Sequence, residues 1–198
     1  MADEQEFGHQ DGQLSATKVG VAAAGQAHLV KPSRDATGLC CNDPVADLEA
    51  IEAIKRVKYR YLRALDTKHW DDFADTLTED IVGDYGSSLG KTLHFTNRTD
   101  LVEFMRTAMP AGVLTEHRVT HPEITLDDTD EAEGRWYLQD RVIVPEHNFM
   151  LFGAAFYRDR YRKTSDGWKI CATGYQRTYE VAQTLDANAK VTPGPALA

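Results

Sequence analysis

Cysteine is scarce in this chain: three in 198 residues, Cys40, Cys41 and Cys171, two of them adjacent. That number and spacing exclude a disulfide framework, and no Cys-x-x-Cys or histidine pairing makes Cys40 and Cys41 a metal site. No apolar run approaches the roughly 20 residues that span a bilayer. The chain opens MADEQEF, without the basic stretch and apolar segment of a secretory signal. Basic residues are outnumbered, 22 Lys and Arg against 31 Asp and Glu, for a net charge of −9. A surface of that sign repels polyanions, so neither nucleic acid nor an anionic membrane is an expected partner. The expectation is a reduced, cytoplasmic protein.

Nucleotide loops are lacking too. GVAAAG (Gly20–Gly25) does not have dinucleotide-loop spacing, and no Lys-Ser/Thr pair follows it. GSSLGKT (Gly86–Thr92) imitates a phosphate loop but is one residue short between its glycines and leads into a strand-like run. There is no nucleophile elbow and no zinc-type cluster. Nothing in the chain requires a metal or an organic cofactor.

What is present is a core: 42% of residues are hydrophobic, enough for one domain plus some excess. Residues 1–43 read as a tail or arm, 44–182 as the domain and 183–198 as a C-terminal tail. Pro44 after Asp43 marks a helix start, and Leu48, Ile51, Ile54, Val57, Tyr61, Leu62 and Leu65 then recur at spacings of mostly three and four. Trp70, Phe73 and Leu77 continue this as a short second helix. Glu79–Tyr85 reads as a strand, Lys91–Phe95 as its return, and Asn97 or Thr99 caps a third helix ended by Pro110 and Gly112. Four long β runs follow, Val113–Leu126, Glu133–Val144, Phe149–Lys163 and Gly167–Val181, separated by turn residues. This predicts an α+β domain, with a curved, mostly antiparallel sheet wrapped around the N-terminal helices.

The stretch Tyr59–Gly86 holds Tyr61, Asp66 and Tyr85, all beside apolar faces. A carboxylate at the end of a buried stripe needs a partner, because an unpaired buried charge costs several kcal/mol or more. His117 is the candidate, and the two would form an acid–base dyad at the bottom of an apolar pocket. The plain alternatives are that Asp66 ends a helix, His117 is a satisfied strand histidine, and both tyrosines are core-edge aromatics.

ALDTKHWDDFADTLTEDIVGDYG, TEHRVTHPEITL (Thr115–Leu126), EGRWYLQD (Glu133–Asp140) and FYRDRYRKTSDGWKI (Phe156–Ile170), taken in this order, resemble the nuclear transport factor 2-like superfamily. The resemblance is to its SnoaL-like and scytalone-dehydratase-like branch, over about residues 44–182. It implies a cone-shaped α+β barrel with a deep pocket, in a dimer or trimer. Dehydratases of that branch pair a first-helix aspartate, here Asp66, with a later histidine, here His117, assisted by tyrosines at Tyr61 and Tyr85. The ketosteroid isomerase aspartate would fall at or beside Tyr85, where this chain has a tyrosine, which counts against an isomerase. Some relatives carry further histidines where this chain has Arg118 and Val119. His121, on the face of His117 by strand alternation, is a candidate second pocket group.

A dyad of this kind suits elimination, with His117 as base, Asp66 stabilising the imidazolium, and Tyr61 and Tyr85 donating to developing negative charge. Arg177 is a candidate for an anionic part of the substrate, with an ion pair as the alternative. Trp136 and Phe156 are candidate substrate contacts, with core or interface packing as theirs. The expected function is therefore a cofactor-independent lyase, dehydratase-like, acting on a small hydrophobic cyclic, polyketide- or steroid-like molecule. The alternatives are a non-catalytic ligand-binding or assembly domain, or an isomerase or cyclase using the same pocket.

Overall fold

The periodic apolar positions after Pro44 do form a helix. In the computed structural model α1 spans Pro44–Thr67, α2 Trp70–Asp75, β1 Leu77–Ser88, β2 Lys91–Phe95 and α3 Arg98–Ala108. Then come β3 Leu114–Leu126, β4 Glu131–Val144, a 3-10 turn at Pro145–His147, β5 Phe149–Thr164 and β6 Gly167–Thr184. The structure describes residues 44–88, 91–127, 130–186 and 188–195, so the expected tail at 1–43, with Cys40 and Cys41, lies outside the described residues. None of the described helices is long and apolar enough to cross a membrane.

The six strands form one sheet in the order β2-β1-β6-β5-β4-β3. Every neighbouring pair is antiparallel except β1 and β6, which run parallel. The edge strands β2 and β3 do not pair with each other, so the sheet stays open, and the expected cone-shaped α+β architecture with its mostly antiparallel sheet is what the chain forms. Alternation is clean in β4: Ala132, Gly134, Trp136, Leu138 and Asp140 are buried and the residues between them exposed. The strand β1 also runs three residues past the predicted Tyr85, through Gly86 at φ +63.

The helices pack on the inner face. From α1, Ile54, Lys58, Tyr61, Leu62, Ala64 and Leu65 are buried, a stripe at helical spacing that packs against β3 and β6. Leu48, counted in the stripe from sequence, is 63% exposed. Asn97 caps α3: its side chain accepts the Asp100 N–H at 2.9 Å.

One member of the α1 stripe is a lysine. Lys58 is fully buried and paired at 2.8 Å with the equally buried Asp159. Its ammonium stands 3.4 Å from the ring centre of Tyr157. Asp159 also accepts hydrogen bonds from Tyr161 Oη at 2.9 Å and Thr173 Oγ1 at 2.7 Å, and Trp136 Nε1–H donates to Tyr161 Oη at 3.0 Å. This polar network lies inside the core, and Tyr157, which Lys58 contacts, also lines the main cavity.

Candidate functional site

The end of α1 brings Asp66 against β3. Lys68, just past the helix, adopts φ +63, and the His69 N–H donates back to the Ala64 carbonyl at 2.9 Å. Asp66 then faces the start of β3, where Oδ1 meets His117 Nδ1 at 2.7 Å and accepts from Thr115 Oγ1 at 2.8 Å. Its Oδ2 accepts the His117 backbone N–H at 2.9 Å. Burial pushes the Asp66 carboxyl upward, but these bonds, with His117 first among them, outweigh it and hold Asp66 below the usual carboxylate range. An ionised carboxylate only accepts, so Nδ1 of His117 carries a proton, and the lone pair of the neutral ring is the one on Nε2.

His117 forms part of the wall of a cavity of about 410 Å³. Leu65, Leu93, Phe104, Met105 and Leu151 give the cavity an apolar lining. Tyr61 and Tyr85 also line it, with their hydroxyls 3.1 Å apart. Burial raises both phenols well above their ordinary range, so both are neutral. Tyr175 packs on both Tyr85 and Tyr157, with ring centres 5.5 and 5.6 Å away, and completes an aromatic floor.

Arg177 reaches the same cavity already engaged. Its Nη2 donates to Asp140 Oδ2 at 2.6 Å and its Nη1 to Oδ1 at 2.5 Å, while Nε lies 3.3 Å from Glu180 Oε2. Burial works against this cation, but the bonds to Asp140 more than offset that and keep it protonated. Gly153 on β5 makes the contact possible: a Cβ there would lie 3.0 Å from Arg177 Nη1 and 2.6 Å from the Tyr179 carbonyl oxygen.

The structure thus brings His117, Asp66, Tyr61, Tyr85 and Arg177 together, and it does not bring the other three candidates to this cavity. His121 is turned outward, since β3 has a bulge between Thr120 and Glu123 and His121 itself adopts φ +50. Simple alternation from His117 fails across such a bulge. Its ring pairs instead with Thr120 Oγ1 at 2.8 Å. Phe156 is 43% exposed on the outer face, edge-to-face with Tyr137 at 4.7 Å. The strand's parity puts its neighbour Tyr157 inside. Trp136 is buried in the core beside Tyr161. All three border a smaller depression of about 220 Å³ instead.

Sequence reasoning missed Lys68, Thr115, Asp140, Tyr157, Tyr175 and Glu180. Tyr175 was within reach of it, lying two residues before Arg177 on one strand face. Asp140 closes the buried alternation of β4 and pairs in register with His117. No local signal marks Lys68.

An open cone of sheet and helices, with an Asp–His pair at the wall of an internal cavity, defines a domain of the nuclear transport factor 2-like superfamily. Within it the chain belongs to the SnoaL-like domain family, whose model matches residues 46–173. Among solved structures, a candidate scytalone dehydratase from Novosphingobium aromaticivorans is similar over 75% of this chain and 100% of its own, with 18% identity and a TM-score of 0.64. A type 2 hexachlorocyclohexane dehydrochlorinase (LinA) matches over 78% and 100%, with 16% identity and a TM-score of 0.65. The β subunit of benzoate 1,2-dioxygenase from Burkholderia mallei matches over 63% and 88%, with 21% identity and a TM-score of 0.53. At these identities the likeness shows the fold.

Proposed function

We propose that this protein is a cofactor-independent lyase that eliminates a small leaving group from a hydrophobic cyclic molecule, polyketide- or steroid-like. One observation carries the reading: His117 Nδ1 lies 2.7 Å from an ionised Asp66 while the same ring lines an apolar cavity. In the reaction, His117 Nε2 takes a proton from a carbon next to a carbonyl or activating ring. That C–H electron pair becomes the new double bond as the C–O bond breaks, and the departing hydroxide takes the proton back from the His117 imidazolium and leaves as water, which returns His117 to its neutral form. Asp66 stabilises the imidazolium formed in between. Tyr61 and Tyr85, both neutral, donate to the oxygen that gains charge. Arg177 bounds the substrate space from β6. The solved structures similar to this chain include proteins named for dehydration and for dehydrochlorination, both eliminations.

The competing reading is a non-catalytic ligand-binding or assembly domain, and the benzoate 1,2-dioxygenase β subunit has this fold in a multi-subunit protein. A hydrogen-bonded dyad at the wall of an apolar cavity favours the enzyme. The test is a panel of cyclic β-hydroxy ketones followed by enone absorbance and by the mass loss of one water. The expected result is turnover that falls on the order of 10²–10⁴ in His117→Ala, the usual contribution of a general base. Parental turnover in that variant sinks the mechanism.

The proposal extends to assembly. Tyr137, Phe156, Tyr179 and Val181 are all more than a third exposed, more large apolar side chain than an isolated sheet face usually presents. A homo-oligomer, dimer or trimer, would cover them. Light scattering that returns a clean 22.1 kDa monomer would count against it.

A further inference from the structure

We infer that Lys68 and Thr115 are positioning residues, which act on the Asp66–His117 pair from behind and set the pH at which His117 is free to act as a base. The inference rests on the reading of His117 as that base. Lys68 Nζ donates to Thr115 Oγ1 at 2.9 Å, and Thr115 Oγ1 donates to Asp66 Oδ1 at 2.8 Å. An ammonium can only donate, so the threonine oxygen must accept from it, and its own hydroxyl hydrogen is directed at Asp66. Asp66 is then met by three donors, the Thr115 hydroxyl, the His117 ring and the His117 backbone, with a cation one hydroxyl further back. All these donors converge on Asp66, which has no hydrogen to give back, so the neutral His117 ring keeps its proton on Nδ1.

The backbone of Lys68 supports this independently. Its φ of +63 lies in the left-handed region, where the residue ending a helix is usually glycine or asparagine. A lysine there carries the steric cost of a Cβ. Its side chain does not run out into water but turns inward to a hydroxyl on β3. Burial pushes the ammonium down, and the nearby Asp66 charge opposes that. A residue that is unfavourable for its backbone and partly desolvated at its charge is explained by what that charge touches.

Other charges around His117 have their own partners. On β6, Arg177 is matched by Asp140 of β4 and by Glu180. On β3, Glu116 meets Arg118 and also Arg141 of β4. The tyrosines Tyr61, Tyr85, Tyr157 and Tyr175 are held neutral by burial. Around Lys68 the further charged and titratable groups are His69, Asp71, Asp72 and Arg106. Lys68 is the cation that joins the hydrogen-bond chain ending on Asp66.

The test needs no substrate. Ring-labelled histidine NMR reads the tautomer and titration midpoint of His117, assigned from the signal lost in His117→Ala. In the native protein the proton is expected on Nδ1 when the ring is neutral. Lys68→Met and Lys68→Gly should both raise the midpoint, by about half a unit to one unit, because a nearby cation no longer opposes the imidazolium. Lys68→Arg should keep it within about 0.2 unit, since the positive charge remains. Lys68→Gly alone should raise the melting temperature, by relieving the left-handed backbone. If Lys68→Met does not fold, Thr115→Val carries the same expectation, since it removes one donor from Asp66. An unmoved midpoint in the folded variants, or a neutral ring protonated on Nε2, overturns the inference. Absence of turnover on every eliminating substrate would sink the lyase reading and leave this NMR result standing.

Discussion

At the scale of single residues the dyad is sensitive to what each atom can donate or accept. Asp66→Asn keeps the shape of the side chain but replaces an acceptor by an amide that can donate. It selects the other His117 tautomer and cannot stabilise an imidazolium, so turnover should fall severely in a variant that is less stable but still folded at neutral pH. Tyr61→Phe and Tyr85→Phe should each cost less, as one donor is lost and the ring stays packed. The depressed pKa of Asp66 also makes a stability prediction. Its folded value lies below its unfolded value, so its contribution is fully present above the ordinary carboxylate range. It is lost as pH falls through the folded value. Urea unfolding of parent and Asp66→Asn should therefore differ most near neutrality and converge below about pH 3.8, the ordinary aspartate value. A gap that widens in acid would show the sign to be wrong.

At the scale of elements, two glycines decide how strands meet. Gly174 on β6 lies against β1 where the two strands run parallel, and a Cβ there would collide with the Asp84 carbonyl oxygen. Backbone cannot yield as a side-chain tip can. Gly174→Ala should cost about 3 kcal/mol or more in chemical unfolding, the upper range for overpacking. Gly153→Ala acts on the site instead. A methyl there would meet the Tyr179 carbonyl oxygen at 2.6 Å and Arg177 Nη1 at 3.0 Å, so β6 must shift and carry the guanidinium out of register with buried Asp140. The variant should lose ligand affinity or turnover as well as stability, and a variant with parental melting and parental activity would contradict the packing argument.

At the scale of the whole molecule, the contrast is between charges inside and charges outside. Lys58 and Asp159 join α1 to the sheet through a fully desolvated pair. Lys58→Met leaves Asp159 as a buried anion held by Tyr161 and Thr173 alone, and should cost about 3–5 kcal/mol. Arg162 and Asp80, 2.9 Å apart but 42% and 63% exposed, form the control. Arg162→Met should cost under about 1 kcal/mol, less still at high salt. Urea denaturation of both variants checks the ratio, and equal losses would mean that the core pair is not the tie between the two layers.

The order of helices and strands was legible because it is local. Helical spacing from Ile51 to Leu65, a capping asparagine at position 97 and the Asp-Gly turn before Trp168 each depend on neighbours a few residues away. Residues 44–66 are helical as expected, and the four long β runs fall within a few residues of β3 to β6. The joining of Asp66 to His117 was legible in part, because a helix-end carboxylate needs a partner and the family pattern supplied one. What only the tertiary structure decided is where side chains point after a long-range register is set. A bulge in β3 turned His121 away from His117, and strand parity put Tyr157 inside where Phe156 had been a candidate. Lys58 offers no sign of burial in its own segment, because its partner Asp159 lies on β5, far along the chain. Lys68 reads locally as one more charged residue at a helix end. Its hydrogen bond exists only because folding brings the start of β3 alongside the end of α1.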